Sequence, residues 1–396
     1  MERLYARKKV LSVSGGRKRS NSSAFSTTPS DQRPREEKAA PYRDLRYERV
    51  LKTQGIYMGW SNSHPSEKSL QVCRDLLHGK QLLPQGSIFD EAVAEKAFEN
   101  LRAKNEARVI QDLSRLLVPS AETLALYSQN SHLVVLSESV NEGWNNSIPM
   151  CGSRPQPDYA VGFGEEAFTK EQMAKLSPFI GEYLLGDTSF FMATFSMYFP
   201  FLSCEVKCGA AALVVADRQN AHSMALAVRG VAELFRLLGR GDEVNRQILA
   251  FSISHDHETA RIYGHYPVID GQDVKYFRHA IKTCNLSMDR EDRWTPHRFT
   301  RNVYDIWMPE HLHRLRSAID QLPLAESEAS LNDESTGLSQ SLEGLARPDA
   351  DPALIPGSEH SQSDSSGRTA TPTTSVSKSE SAKRKKITAK TSNKHT

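Results

Sequence analysis

The chain has 396 residues, of which 38% are hydrophobic and 25% charged, and a formal net charge of +2; this is a globular composition with no overall electrostatic footprint for nucleic acid. No apolar run approaches the roughly 18 residues that span a bilayer, and the basic start lacks the apolar segment of a secretory signal, so no membrane partner is expected and the chain reads as intracellular. Five cysteines (Cys73, Cys151, Cys204, Cys208, Cys284) without CxxC spacing read as free thiols in a reducing compartment.

Residues 1–44 are rich in Ser, Arg, Lys and Pro; they bury too little surface to offset chain entropy and are expected to be disordered. Residues 45–324 read as one α/β domain. Within it, apolar residues at helical spacing predict a long helix from Phe89 to about Leu117, ended by Pro119. His132–Ser137 reads as a strand, 141–154 as a loop and Tyr159–Phe163 as a second strand. Thr169, with Gln172 three residues on, is an N-cap for a helix to about Leu185. Phe199–Lys207 is a strand. Asp217 or a neighbour then opens an amphipathic helix to Leu238, closed by Gly239 and Gly241. Ile248–Ser254 and Ala260–Tyr266 form a hairpin, Lys275–Ile281 adds a strand, and a last helix runs from about Thr300 to Leu322 with Pro309 breaking or kinking it. Residues 325–396, dominated by Ser, Thr, acids and Pro, are a second disordered tail. This order predicts an α/β sandwich with a mixed central sheet.

Chemistry concentrates at Asp158, Glu205 and Lys207. Strand side chains alternate, so Glu205 and Lys207 share one face about 7 Å apart, at roughly 3.3 Å per residue. If the strand led by Asp158 lies alongside, two carboxylates can grip one Mg²⁺ or Mn²⁺, whose remaining positions stay open to a phosphate oxygen and a water. The lysine can orient that water or stabilise charge on the phosphate. The E-x-K triplet alone is weak evidence: Glu36 and Lys38 form another in the head, and Asp273-Val274-Lys275 is a D-x-K form. The apolar strand leading in and the helix that follows raise this one above a strand-end ion pair.

Asp158, then Glu205-x-Lys207 on an apolar strand, then a helix, resembles the signature of the PD-(D/E)XK, or restriction-endonuclease-like, nuclease superfamily. The resemblance implies a nuclease-like sandwich, Asp158 and Glu205 as metal ligands, and Lys207 as the catalytic lysine. It further implies an acidic ligand from the first helix, where Glu106 falls, and a glutamine on the helix after the motif strand, where Gln219 falls. Ser223 stands where a subset of that superfamily has tyrosine. The block from about Tyr47 to Pro323 is also similar to an uncharacterised domain of filamentous fungi. Asn105–Asp112, Glu205–Gly209, Asp217–His222 and Asn302–Pro309 carry that likeness, which brings no activity with it. The expected function is a metal-dependent phosphodiesterase acting on nucleic acid, the alternative a catalytically inactive nuclease-fold module that binds protein or nucleic acid.

Other clusters are weighed against bland explanations. His255-Asp256-His257-Glu258 has the look of a metal site but falls at a hairpin tip, where polar residues collect. Cys204 and Cys208 lack a partner pair with zinc spacing. Arg218, at a helix start, suits a phosphate or a solvated cap; His222, a turn on, faces the cleft or solvent. Trp144, Trp294 and Trp307 read as packing residues. His311, His313, Arg314 and Arg316 form a basic stripe that suits a phosphate backbone or a solvated face. The basic clusters at Arg7–Lys9, Arg17–Arg19 and Lys383–Lys386 resemble nuclear import signals, and a nuclear location is the favoured expectation, although the Arg- and Ser-rich head also allows a mitochondrial presequence.

Overall fold

The structure, a computed structural model, describes residues 2–8, 35–59, 63–208 and 212–324. Residues 1–330 form one compact unit. The second, Leu331–Thr396, lies outside the described residues, as do the basic clusters at Arg17–Arg19 and Lys383–Lys386.

The elements run α1 (Arg35–Arg43), α2 (Tyr47–Thr53), β1 (Ile56–Tyr57), α3 (Glu67–His78), α4 (Glu91–Leu101), α5 (Glu106–Val109), α6 (Arg115–Leu117), α7 (Ala121–Ala125), β2 (Leu136–Val140) and β3 (Tyr159–Phe163). They continue with α8 (Lys170–Ile180), β4 (Tyr198–Val206), α9 (Ala212–Leu237), β5 (Ala250–His255), β6 (Thr259–Asp270), β7 (Asp273–Asn285), α10 (Arg290–Arg293), α11 (Thr295–Asn302) and α12 (Met308–Ile319). One seven-stranded sheet in the order β1-β7-β6-β5-β4-β3-β2 forms the centre. β4 and β5 are parallel and joined through α9, β1 and β7 are also parallel, and the other neighbours are antiparallel. The fold is therefore α/β with a mixed sheet, and every residue of β3, β4 and β5 is buried.

Most expected elements are present, with revealing differences. The capping box forms as read: Thr169 Oγ1 accepts from the Gln172 amide and Gln172 Oε1 from the Thr169 amide. That helix stops at Ile180 because Gly181 takes a positive φ. The long helix expected over 89–117 is broken after Leu101. Asn105 caps a new one, accepting from the Arg108 amide, and a π-helical turn at Ile110–Ser114 interrupts it again. The strand expected at 132–137 is mostly a 3-10 segment, with pairing beginning at Leu136. The last helix is two pieces, α11 and α12. They are joined by a π-helical turn at Val303–Trp307 that absorbs the missing amide of Pro309. α9 starts at Ala212 rather than Asp217. Within 1–44, Leu4 is buried and Arg35–Arg43 is helical, which low apolar content does not foretell.

One irregularity positions the site. β4 is an inner strand yet contains Pro200, which has no amide to give a neighbour. The β3–β4 register shifts between Val161 and Phe163, and Phe199 adopts φ +41°. Gly162 permits the close approach, since a Cβ there would stand 2.8 Å from the Tyr198 carbonyl oxygen. The bulge absorbs the proline, and beyond it β4 pairs regularly on both sides from Leu202 onwards.

Several histidines are sealed in this core. Burial pushes His222 and His265 down to about 3 and His297 to about 4. An unfolded chain protonates them near 6.5 while the folded chain does not, so it binds more protons when unfolded and stability falls as pH drops from about 6.5 towards 4. Each contributes up to about 1.4 kcal/mol per pH unit. Urea denaturation at pH 7.5 and pH 5 should show this loss, and His265→Gln should reduce the pH slope by about one proton.

Candidate functional site

Asp158 immediately precedes β3, and Tyr159 pairs with Cys204, so Asp158 lies level with the end of β4. The Val206 amide donates to Asp158 Oδ2 at 2.8 Å. This bond fixes one carboxylate oxygen and ties the two strand ends together. Glu205 is 1% exposed and faces α9. Lys207, one residue beyond β4, donates its amide to the His255 carbonyl at the end of β5. Its Nζ donates to the Val206 carbonyl at 2.7 Å. That places Nζ 3.6 Å from Glu205 Oε2, 3.9 Å from Asp158 Oδ2 and 3.6 Å from Glu106 Oε1. The first residue of α5, the end of β4 and the entry to β3 thus converge on one ammonium, beside the carboxyl ends of the parallel pair β4 and β5, where open α/β sheets bind ligands.

α9 closes the site from the sheet's face. Asn220 anchors it: its Oδ1 accepts from Ser203 Oγ at 2.6 Å, and its Nδ2 donates to the Ile253 carbonyl and Ser254 Oγ, both at 3.0 Å. The preceding residue, Gln219, therefore stands beside Glu205 across a small cleft of about 10 Å³, which Arg154, Ser223, Ala39 and Tyr42 also line. Gln219 Oε1 is buried without a hydrogen-bond partner among the described residues.

Two further groups shape the rim: His255, expected at a hairpin tip, and Tyr42, to which no sequence pattern points. His255 ends β5, fully buried, rather than sitting at the hairpin tip. Its Nδ1 lies 2.9 Å from the Asp256 carbonyl, which only accepts, so Nδ1 carries the proton. Nε2 is then the acceptor, and Ser114 Oγ donates to it at 3.0 Å. Burial pushes the His255 pKa down, which keeps the ring neutral. Ser114 ends the π-helical turn that follows α5, so this bond holds the segment carrying Glu106 against β5. π-helical turns are common at functional sites, but this one has no local signature. The second group is Tyr42, whose hydroxyl lies 2.7 Å from His222 Nδ1.

Other expectations are corrected. Arg218 does not face solvent: it is 3% exposed, donating to Glu48 Oε1 and the Tyr42 carbonyl. Asp217, inside α9, accepts from Arg261 and Tyr263. The stripe on the last helix does not exist as a surface, because His311 is buried against Trp307 and Arg316 donates to the Ala167 carbonyl. Trp144, Trp294 and Trp307 are buried packing residues, and the five cysteines are free thiols.

Among the described residues no three His, Cys, Asp or Glu side chains are gathered as a metal cage; the carboxylates gather on Lys207 Nζ instead. The donor chemistry nonetheless suits a hard divalent cation. Three carboxylates reach within 3.9 Å of one point, and a buried amide oxygen lies next to Glu205. Hard cations take such oxygens at roughly 2.0–2.6 Å, so Glu106, Asp158 and Glu205 are the residues that would hold one. Because Asn220 sets the height of α9 over the sheet, Asn220→Ala should cost about 2–3 kcal/mol, leaving Ser203, Ser254 and the Ile253 carbonyl short of a buried partner. Urea unfolding checks this.

No curated protein matches the chain, and no helix among the described residues is long and apolar enough to cross a membrane. The family described as Domain of unknown function (DUF7924) matches residues 93–319, a span holding Glu106, Asp158, Glu205, Lys207 and Gln219. The chain belongs to that family.

Proposed function

We propose that the protein is a divalent-metal-dependent phosphodiesterase of the PD-(D/E)XK type, with nucleic acid as its substrate. The observation that carries this reading is the convergence of Glu106, Asp158 and Glu205 on Lys207 Nζ within 3.6–3.9 Å. Residues 47 and more positions apart in the chain meet there: Glu106, Asp158 and Glu205 come from three separate elements, which a local strand-end ion pair does not require.

Each side chain has a distinct task. Asp158 is held in one orientation by the Val206 amide, so it is preorganised rather than recruited. Glu205 and Glu106 each bring a carboxylate oxygen to 3.6 Å from Lys207 Nζ. A bound Mg²⁺ or Mn²⁺ supplies Lewis acidity to a phosphate oxygen and an acidified water. The Lys207 ammonium orients that water or balances charge building on the phosphate. Gln219 Oε1, an acceptor in want of a donor, is suited to hold a water proton in the same cleft. The specific observation favouring the alternative, a catalytically inactive module of the same fold, is the small volume of that cleft.

The purified protein should cleave plasmid, single-stranded DNA or RNA with Mg²⁺ or Mn²⁺ and not with chelator. Glu205→Gln and Lys207→Ala should each lower the rate at least a hundredfold, the scale of losing one charge-stabilising group. No cleavage of any of the three, or undiminished cleavage by both variants, refutes the enzyme. Mn²⁺ should raise the melting temperature by several degrees, and Asp158→Asn should abolish the shift. An inactive module that binds no metal shows no shift in either protein.

A further inference from the structure

Glu205 is almost fully buried and Gln219 is 7% exposed, whereas a phosphodiester strand must bring a phosphate to them. The cover is α1. Ala39 and Tyr42 form its inner side and line the cleft with Arg154, Glu205, Gln219 and Ser223. We propose that α1 is a removable strap lying in the groove by which a nucleic-acid strand approaches the site, so that closure and substrate binding are mutually exclusive. This inference rests on the phosphodiesterase reading for the strand's identity, but the strap itself is defined by what it covers.

Among the described side chains, the strap is fastened through Tyr42. Tyr42 is 4% exposed, while Ala40, Pro41, Arg43 and Asp44 around it are exposed. Its ring packs on Tyr47 with centroids 4.6 Å apart, its hydroxyl meets His222 Nδ1 at 2.7 Å, and its carbonyl accepts from Arg218 at 3.0 Å. Pro41 lies inside α1 and removes an amide from its ladder, so the helix has little stability of its own apart from this latch. Between Tyr42 and the next buried residue, Tyr47, the chain is exposed throughout, including Leu45 at 79%. Among the described side chains of α1, Tyr42 is the buried one that such a swing exposes, and α1 pairs with no strand of the sheet. The cleft that Ala39 and Tyr42 cover is also lined by Gln219, Ser223, Glu205 and Arg154, whose Nε donates to the Ser147 carbonyl, a polar surface of the kind that meets a nucleic-acid backbone. A ring that packs among polar side chains is also a natural competitor for a base that stacks there.

The test uses the full chain carrying Ser223→Cys, a small change at a position that is buried and lines the cleft. A small thiol reagent and peptide mass mapping give the labelling rate of the introduced thiol. Adding Tyr42→Ala should raise that rate at least tenfold, and adding Tyr42→Phe, which keeps the ring, by less than threefold. The buried Cys73 and Cys284 serve as internal monitors of unfolding. If they label in step with the introduced thiol, the domain has opened globally and the strap is refuted; it is equally refuted if Tyr42→Ala leaves the rate unchanged. Tyr42→Ala in the otherwise native chain should in addition raise metal-dependent cleavage severalfold. Faster labelling with no cleavage in any variant retains the strap and removes the phosphodiesterase; cleavage with unchanged labelling does the reverse.

Discussion

The hydrogen bond from the Val206 amide to Asp158 Oδ2 is the constraint on which the site depends. It works only in one register of β3 against β4, and a slip of one residue in β4 would send Glu205 and Lys207 to the opposite face. Three features hold that register. The bulge at Val161–Phe163 takes up Pro200 before the functional end is reached. Asn220 reads the positions of Ser203 on β4 and Ser254 on β5 at once, so a slip of either strand breaks it. On the far side, the Lys207 amide continues the β4–β5 ladder to the His255 carbonyl. The acids are placed by backbone pairing, and their side chains need only short reach.

Such an arrangement is an expensive way to gain stability. Bringing carboxylates out of water costs several kcal/mol per ion, and their attraction to a lysine seldom recovers it; well-packed apolar residues of the same volume often do as well or better. Lys207 divides its interaction among three acids and one carbonyl, so no single pair has the short two-point geometry that makes a buried ion pair strong. A chain selected for stability alone has cheaper choices at these positions. Neighbouring α9 shows what structural polar burial looks like here, in Asn220 with three well-formed hydrogen bonds. The contrast between Asn220, fully engaged, and Gln219 Oε1, buried without a partner among the described residues, separates the residue that holds the helix from the one that lines the cleft.

How far the sequence revealed this varies with the range of the interaction. β3, the Thr169–Gln172 capping box and the apolar face of α9 are local patterns with one periodicity or one cap each, and they were legible. Glu205 and Lys207 were legible because two residues apart on a strand means one face. Glu106 came only through resemblance to a nuclease signature, since nothing near Asn105 points across to β4. The break before Asn105 is hidden by the helical spacing of the apolar positions on either side, which continues through it. The π-helical turns have no sequence mark. Ser114–His255 and Tyr42–His222 join residues 141 and 180 apart, and pairs at that range have no periodicity to betray them. His255 was misplaced by reading its polar neighbours as a tip, when β5 runs one residue further and buries it.

α9 also explains why the strap can move while the site stays intact. Successive residues of one helix point about 100° apart, so Arg218, Gln219 and Asn220 address different surroundings, while His222, four residues after Arg218, shares its face. Asn220 grips the sheet, Gln219 looks into the cleft, and Arg218 and His222 hold the backbone and hydroxyl of Tyr42. The sheet-facing bonds are buried and numerous, whereas those to α1 reach Tyr42, whose neighbours Ala40, Pro41, Arg43 and Asp44 are exposed. Free energy of opening is lowest where buried apolar contact is thinnest, which is at α1 and not at α9. Releasing Tyr42 therefore leaves the Asn220 anchors, the Val206–Asp158 bond and the grouping of acids about Lys207 in place, since none of these contacts involves α1.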